Sequence, residues 1–306
     1  MTSVGVMNLR QLQYFVAVVD EGSFTRAAQR LYVAQPSLSK QLAALEAELG
    51  GPLIERLHRG IRLTPAGKAF LPEARAATLS AERARRAARM AHGLEATELE
   101  VATVLSIAVG LLPGSIRTLR ERHPGILVYL HEYRHRDVME VDVRSGVADI
   151  AIGPKPRGWD GPVAALGWEE FVILLPEGDE MLQDPGPIEL SDLANRRWVL
   201  PAPTAGMAPL VAGACLDAGF VPEPAVHTSQ VEALARFAAC GLGPAMLPSN
   251  VVPPDLEHLT RRLHRPMARE LAAYTRTEWS PVAGAFLETL WDAHSARRPD
   301  NAYVAP

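Results

Sequence analysis

The sequence predicts an α/β protein in three parts: an N-terminal winged helix-turn-helix, a long linker helix, and a two-lobed α/β body. Three observations predict it. Apolar residues recur at helical spacing through residues 9–91 with one short break. Strand-like and helix-like segments alternate from about residue 97 onward. The first 91 residues carry 13 Lys+Arg against 7 Asp+Glu, whereas the rest carries 18 against 28. The 306-residue length fits two or three domains, and 48% hydrophobic with 22% charged residues excludes a disordered chain. A basic segment on an acidic body points to a polyanion partner for the first part only.

In the first part, Leu9, Leu12, Phe15, Val16 and Val19 form one helical stripe, and Glu21-Gly22 ends it. Ser23 is the expected N-cap of a second helix from about Phe24 to Leu31. After the break Tyr32–Gln35, Pro36 sits where a helix begins, because its missing N–H costs nothing there. The third helix runs Ser37 to Leu49 on the stripe Leu38, Leu42, Leu45 and Leu49. Leu53 to Thr64, with Arg56, Arg59 and Arg62 around Gly60, reads as a small β-hairpin with a basic tip. Thr64-Pro65 then opens a helix reaching about Gly93, on the order of 40 Å at 1.5 Å per residue. Its small-residue stripe, Ala69 to Ala91, needs a partner, and a second copy of the chain is the economical one.

Strands are expected at Leu99–Thr103, Ile126–Glu132 and Asp149–Ile152, with helices at Leu111–Arg122 and Val138–Ser145 between them. This alternation predicts a mostly parallel sheet. A looser repeat follows from Phe171 to Leu247, then a strand at Leu271–Thr275 and a helix at Val282–His294 that return to the first unit. The expected domains are 1–64 (winged helix-turn-helix), 65–95 (linker and dimerisation helix) and 96–306 (ligand-binding body). The first lobe of that body is about 97–164 plus 270–295, and the second about 165–268. A cleft between two such lobes is where a small ligand binds.

The helix pair at 23–49 carries the functional signal. In a helix-turn-helix the first helix crosses the DNA backbone and the second presents its N-terminal residues to base edges in the major groove. Gln35, Pro36, Ser37, Ser39, Lys40 and Gln41 occupy that turn, with Ser23 and Thr25 opening the first helix. Arg59 and Arg62 of the wing are placed to reach phosphates or the minor groove.

The run SFTRAAQRLYVAQPSLSKQLAALEAELGGPLIERLHRGIRLTPAGKAFL resembles the winged helix-turn-helix of LysR-type transcriptional regulators. The segments LLPGSIRTLRERHPGILVYL, SGVADIAIG and AACGLGPAMLP resemble that family's effector-binding domain, a two-lobed α/β fold similar to periplasmic binding proteins. The family start falls near Met7. The resemblance implies a homodimer or homotetramer that binds a partly palindromic double-stranded DNA site near a promoter and answers to a small-molecule effector. RNA polymerase is a further implied partner. By the same resemblance the cleft is lined by Thr103 to Ser106, by Thr204, Gly206 and Met207, and by Thr228, Ser229 and Gln230. Both main loops precede helices, whose free N–H groups favour an anion, so a carboxylate effector is expected, with Arg134 as a candidate counter-charge.

Other motifs weigh little. HEYRH at 131–135 matches HExxH but follows a β-type run; in a strand, residues four apart lie about 13 Å apart, too far to share a metal. Ser37–Lys40 fits SxxK inside the recognition helix, and Gly241-Leu242-Gly243 lacks the remainder of a dinucleotide fingerprint. Cys240 sits in an apolar setting that predicts a buried thiol; a redox pair with Cys215 is the lesser reading. His58 and His227 read as surface or packing residues. No metal, cofactor or catalytic constellation is expected, so the chain reads as a regulator and not an enzyme. The rival is a solute-binding protein whose N-terminal helices serve assembly. No secretory leader is apparent, no apolar run approaches the roughly 18 residues of a membrane span, and two cysteines fit a reducing compartment, so a cytoplasmic protein without a membrane partner is expected.

Overall fold

The structure, a computed structural model, describes residues 7–57, 60–91, 97–294 and 297–304. It divides into two compact units, Met1–Glu95 with Ser145–Val147 and Ala96–Arg144 with Ala148–Pro306.

In the first unit, α1 (Leu9–Glu21) starts at Asn8, whose side chain accepts the Gln11 N–H while the Gln11 side chain accepts the Asn8 N–H. This reciprocal cap satisfies two orphan donors. Gly22 closes the helix at φ 59°, a left-handed conformation that costs glycine little. The Ser23 hydroxyl accepts the Arg26 N–H and opens α2 (Phe24–Arg30). α3 (Gln35–Glu48) follows with Pro36 in its first turn and no side-chain cap. Leu38, Leu42 and Leu45 are buried in one cluster with Phe15, Ala27 and Ala28. The antiparallel hairpin β1 (Ile54–Arg56) and β2 (Ile61–Leu63) forms the wing. His58 and Arg59 of its tip lie outside the described residues. α4 (Pro65–Ala91) begins at Thr64, whose hydroxyl accepts the Gly67 N–H. A Cβ on Gly67 would stand 2.0 Å from the Leu53 carbonyl oxygen, so glycine lets the helix start pack on the wing. The Phe15 and Phe70 rings meet edge to face at 5.3 Å and tie α1 to α4.

The second unit contains β3 (Thr97–Val104), α5 (Leu105–Gly110), α6 (Leu112–Arg122), β4 (Ile126–Tyr133), α7 (Arg136–Ser145) and β5 (Ile150–Pro154). Then come β6 (Val163–Leu174), β7 (Arg197–Pro201), α8 (Ala208–Asp217), β8 (Glu223–Thr228), α9 (Val231–Phe237) and β9 (Ala245–Pro248). β10 (Thr260–Arg261), β11 (Met267–Tyr274), α10 (Pro281–Ala293) and β12 (Tyr303–Val304) complete it. The short α5 carries no separate signal in the sequence reading.

The expected mostly parallel sheet is corrected here. β3 pairs in parallel with β4 and β5, and β7 with β8, but β11 pairs antiparallel with both β5 and β6. β9 and β10 are also antiparallel to β6. The reason is a double crossing. β6 leaves the first lobe for the second and β11 returns, so the two run side by side in opposite directions, from Val163↔Tyr274 to Phe171↔Met267. β5 pairs with one half of β11 and β9 with the far half of β6, so one ribbon carries both lobes. The first lobe's core holds Leu99, Val101, Ile107, Ile152 and Phe286; the second lobe's clusters hold Phe171, Trp198, Val211, Leu234 and Leu247.

On β4, His131 Nε2 lies 2.7 Å from Glu100 Oε2 of β3. This hydrogen bond, and Glu100's charge, raise the imidazole above its ordinary range despite burial. A raised folded-state pKa stabilises the fold below the unfolded value, near 6.5, and that contribution disappears as pH rises through the folded value. Thermal melts across pH 5–9 should therefore show the wild type losing more stability above neutrality than His131→Gln. Parallel curves would contradict the assignment.

Candidate functional site

Burial of the Leu38–Leu42–Leu45 stripe turns the opposite face of α3 outward. Thr25, Pro36, Ser37, Lys40 and Gln41 are exposed, and Ser23, Gln35 and Ser39 are partly so. Ser39 is the hub of this face. Its hydroxyl accepts from Gln35 Nε2 at 2.8 Å and from Arg56 Nη2 at 3.1 Å. Arg56 lies over the Phe24 ring, 4.0 Å from its centroid, which fixes a long cation beside the helix start. Sequence reading passed over Arg56 as a functional residue; the signal available was a basic residue in a hairpin next to the helix pair. Arg62 is occupied differently: it pairs with Glu55, its cross-strand neighbour, at 2.5 Å. The first turn of α3 has no side-chain cap; its Ser37 and Leu38 N–H groups donate to the Ala34 carbonyl, and Pro36 has no N–H.

In the second unit, a cavity of about 280 Å³ opens between the lobes. The first lobe supplies Ser106, Arg134, His135, Arg136, Asp137 and Arg157, and the second supplies Gly206, Met207, Thr228, Ser229 and Gln230. Arg269 of β11 completes the lining. The walls touch at one edge: the Gly206 N–H donates to the Arg134 carbonyl at 2.9 Å, and the His135 ring bonds the Thr204 carbonyl. A Cβ on Gly206 would lie 2.7 Å from that Arg134 oxygen, so glycine permits the approach. Four arginines and one aspartate line the cavity, a net cationic surface. Arg136 is shared with Asp137 and Glu140, whereas Arg269 is held by Glu169 and by Ser106 Oγ at 2.8 Å. α8 begins at Met207 on the cavity wall with no side-chain cap.

Several expectations are corrected. Thr103 does not line the cavity: it is fully buried in β3, and its hydroxyl donates to the Ile152 carbonyl at 2.9 Å. Strand alternation turns it into the sheet. Thr204 contributes only its carbonyl, to His135, while its side chain is exposed; Ala205 to Met207 form the wall. Cys240 is exposed, not buried: it lies on the outer side of a short helical turn, and its thiol donates to the Phe237 carbonyl at 3.2 Å. Cys215 is buried, and desolvation pushes its thiol up to about 12. Of the HExxH histidines, His131 faces Glu100 on β4 and His135 meets the second lobe. Among the described residues no cluster of His, Cys, Asp or Glu can hold a metal, and no helix is long and apolar enough to cross a membrane. Sequence reading missed Arg136, Arg157, Arg269 and His135 as cavity residues. Arg269 had a signal, a charge inside the apolar strand run MARELAAY.

Two family descriptions match the two units. "Bacterial regulatory helix-turn-helix protein, lysR family" covers residues 9–68, and "LysR substrate binding domain" covers residues 92–295. The chain belongs to the LysR family of transcriptional regulators. Among relatives of this LysR regulator, the HTH-type transcriptional regulator ClcR of Pseudomonas putida is 32% identical over 249 residues, covering 80% of this chain and 84% of that protein. The crystal structure of CbnR, a LysR family transcriptional regulator, superposes with a TM-score of 0.70 at 27% identity, covering 94% of this chain and 100% of that one. Full-length CbnR in complex with its target DNA matches with the same TM-score at 26% identity and the same coverage. The protein is thus a DNA-binding transcriptional regulator with an effector-binding domain, and not an enzyme.

Proposed function

We propose that the N-terminal turn of α3 reads promoter DNA and that a small organic carboxylate, bound in the inter-lobe cavity, controls the outcome. The exposed, uncapped turn carries the first half of this reading: three buried leucines fix which face is free, and that face is polar. Gln35, Ser37, Ser39 and Gln41 have the lengths and donor–acceptor chemistry of base contacts. Pro36 sets the start of the helix. Ser23, Thr25, Lys40, Arg56, Arg59 and Arg62 supply phosphate contacts, so affinity falls steeply with salt. Because one module reads few base pairs, the working form is a homodimer or homotetramer on half-sites about 34–36 Å apart or a multiple of that. It acts in the cytoplasm, where promoter DNA and RNA polymerase meet.

The cavity's four arginines carry the second half. They favour a negative ligand, and the positive end of the α8 dipole at the cavity wall adds to that preference. Ser106, Thr228 and Ser229 give it directional hydrogen bonds, Met207 an apolar wall, and Arg134 a cation at the rim, while Gly206 lets the two walls meet. A cavity of this size fits a compact organic acid.

Fluorescence anisotropy on a duplex obtained by in vitro selection, and on its scrambled version, tests the first half. Gln35→Ala and Ser39→Ala should each narrow the affinity ratio between the duplexes by roughly tenfold, in line with about 1–3 kcal/mol per good base contact. Equal losses on both duplexes would contradict it. For the second half, calorimetry with benzoate, phenylacetate, succinate and glutarate, each beside its amide, should show a carboxylate preferred. Uniform preference for the amides would defeat the reading.

A further inference from the structure

We infer that Arg269 is the residue that binds the effector's carboxylate, and that Glu169 is an internal carboxylate which the effector displaces from it. The inference rests on the reading of the cavity as an anion site. Arg269 and Glu169 stand directly opposite each other on the two strands that cross between the lobes. Both side chains are almost fully buried, at 7% and 1% exposure. Burying an ion pair costs several kcal/mol of desolvation per ion, and an apolar pair of similar volume commonly serves packing as well. A buried pair at this point therefore calls for a reason beyond stability.

The arrangement supplies one. Arg269 lines the effector cavity, and of the four arginines there it is the buried one. A guanidinium out of water attracts a carboxylate more strongly than one at the rim. Its bond to Ser106 Oγ at 2.8 Å and the Phe171 ring, 5.4 Å from Cζ, hold it in place. Its bonds to Glu169 and Ser106 use Nε and Nη2, so a ligand can begin on the remaining N–H groups. Glu169 is only half satisfied: its Oε1 is buried and has no hydrogen-bond partner among the described residues. Glu169 also lines a second cavity, of about 870 Å³, whose walls include Arg262, His264 and Arg297. Arg262 already pairs with Glu170 at 2.7 Å and His264 with Glu189 at 3.3 Å, so a displaced carboxylate has space to turn into and would share these cations with their present partners. The exchange moves one charge–charge contact from between β6 and β11 to between β11 and the ligand, at the ribbon that joins the lobes.

Calorimetry of the full chain with the same carboxylate and amide panel tests this, with thermal melting to confirm folding. Arg269→Gln should weaken the preferred carboxylate at least tenfold and leave its amide unchanged. Glu169→Gln should tighten the carboxylate several-fold, because the internal competitor is gone. Because Arg269→Gln leaves a buried carboxylate unpaired, the double variant R269Q/E169Q restores a neutral pair and should fold yet bind as weakly as the single variant. Binding by the double variant within twofold of wild type would overturn the inference while leaving the anion reading intact. Loss of affinity in Glu169→Gln equal to that in Arg269→Gln would overturn it too, marking the pair as scaffold only. A wild type that prefers no carboxylate over its amide would sink both readings together.

Discussion

The DNA-binding unit depends on the fact that a helix can bury only one stripe. Leu38, Leu42 and Leu45 take the interior of α3. Everything at the other side of its first turn is then delivered to solvent, whatever its chemistry. Here that chemistry is polar, and Ser39 organises it by accepting from Gln35 and Arg56 at once. The packing of α1 and α4, through Phe15 and Phe70, and the close contact of Gly67 with Leu53 serve to hold this turn in place. In the proposed reading, stability and recognition use opposite faces of one helix, so core substitutions act on binding through orientation.

The effector unit answers to a different constraint. Two strands must cross between lobes, one outward and one back, and this makes them an antiparallel pair. β6 and β11 satisfy their backbone groups on each other and on the sheets of both lobes. The cavity sits where the lobes face one another beside this ribbon, and it takes Arg269 from it. A charge on a joining strand is close both to a ligand and to the element that relates the lobes.

Much of this was legible in the sequence. The Ser23 and Thr64 caps and the Pro36 helix start are local signals that stand where expected, as do Leu12 and Phe15 of α1 and Leu38, Leu42 and Leu45 of α3. Leu9, Val16 and Val19 are only partly buried, and Leu49, expected in the α3 stripe, is exposed at the helix end. Two of the errors, the sheet direction and the overlooked Arg269, depend on which strand lies beside which. The direction of β6 and β11 is set by lobe connectivity, which no window of sequence encodes. Thr103 was assigned to the cleft although strand parity turns it inward to Ile152. Arg269 shows as an oddity in its strand, but its partner Glu169 is 100 residues away in sequence. Cys240 stands in an apolar run that predicts burial, but composition does not say which side of a short helical turn a residue takes, and the thiol is exposed.

The central claim is that the first turn of α3 enters the major groove. Dimethyl sulfate interference on a selected duplex addresses it most directly, because guanine N7 lies in the major groove and adenine N3 in the minor. N7 methylation within each half-site should abolish binding. Interference confined to adenine N3, with N7 methylation tolerated throughout, would contradict the account.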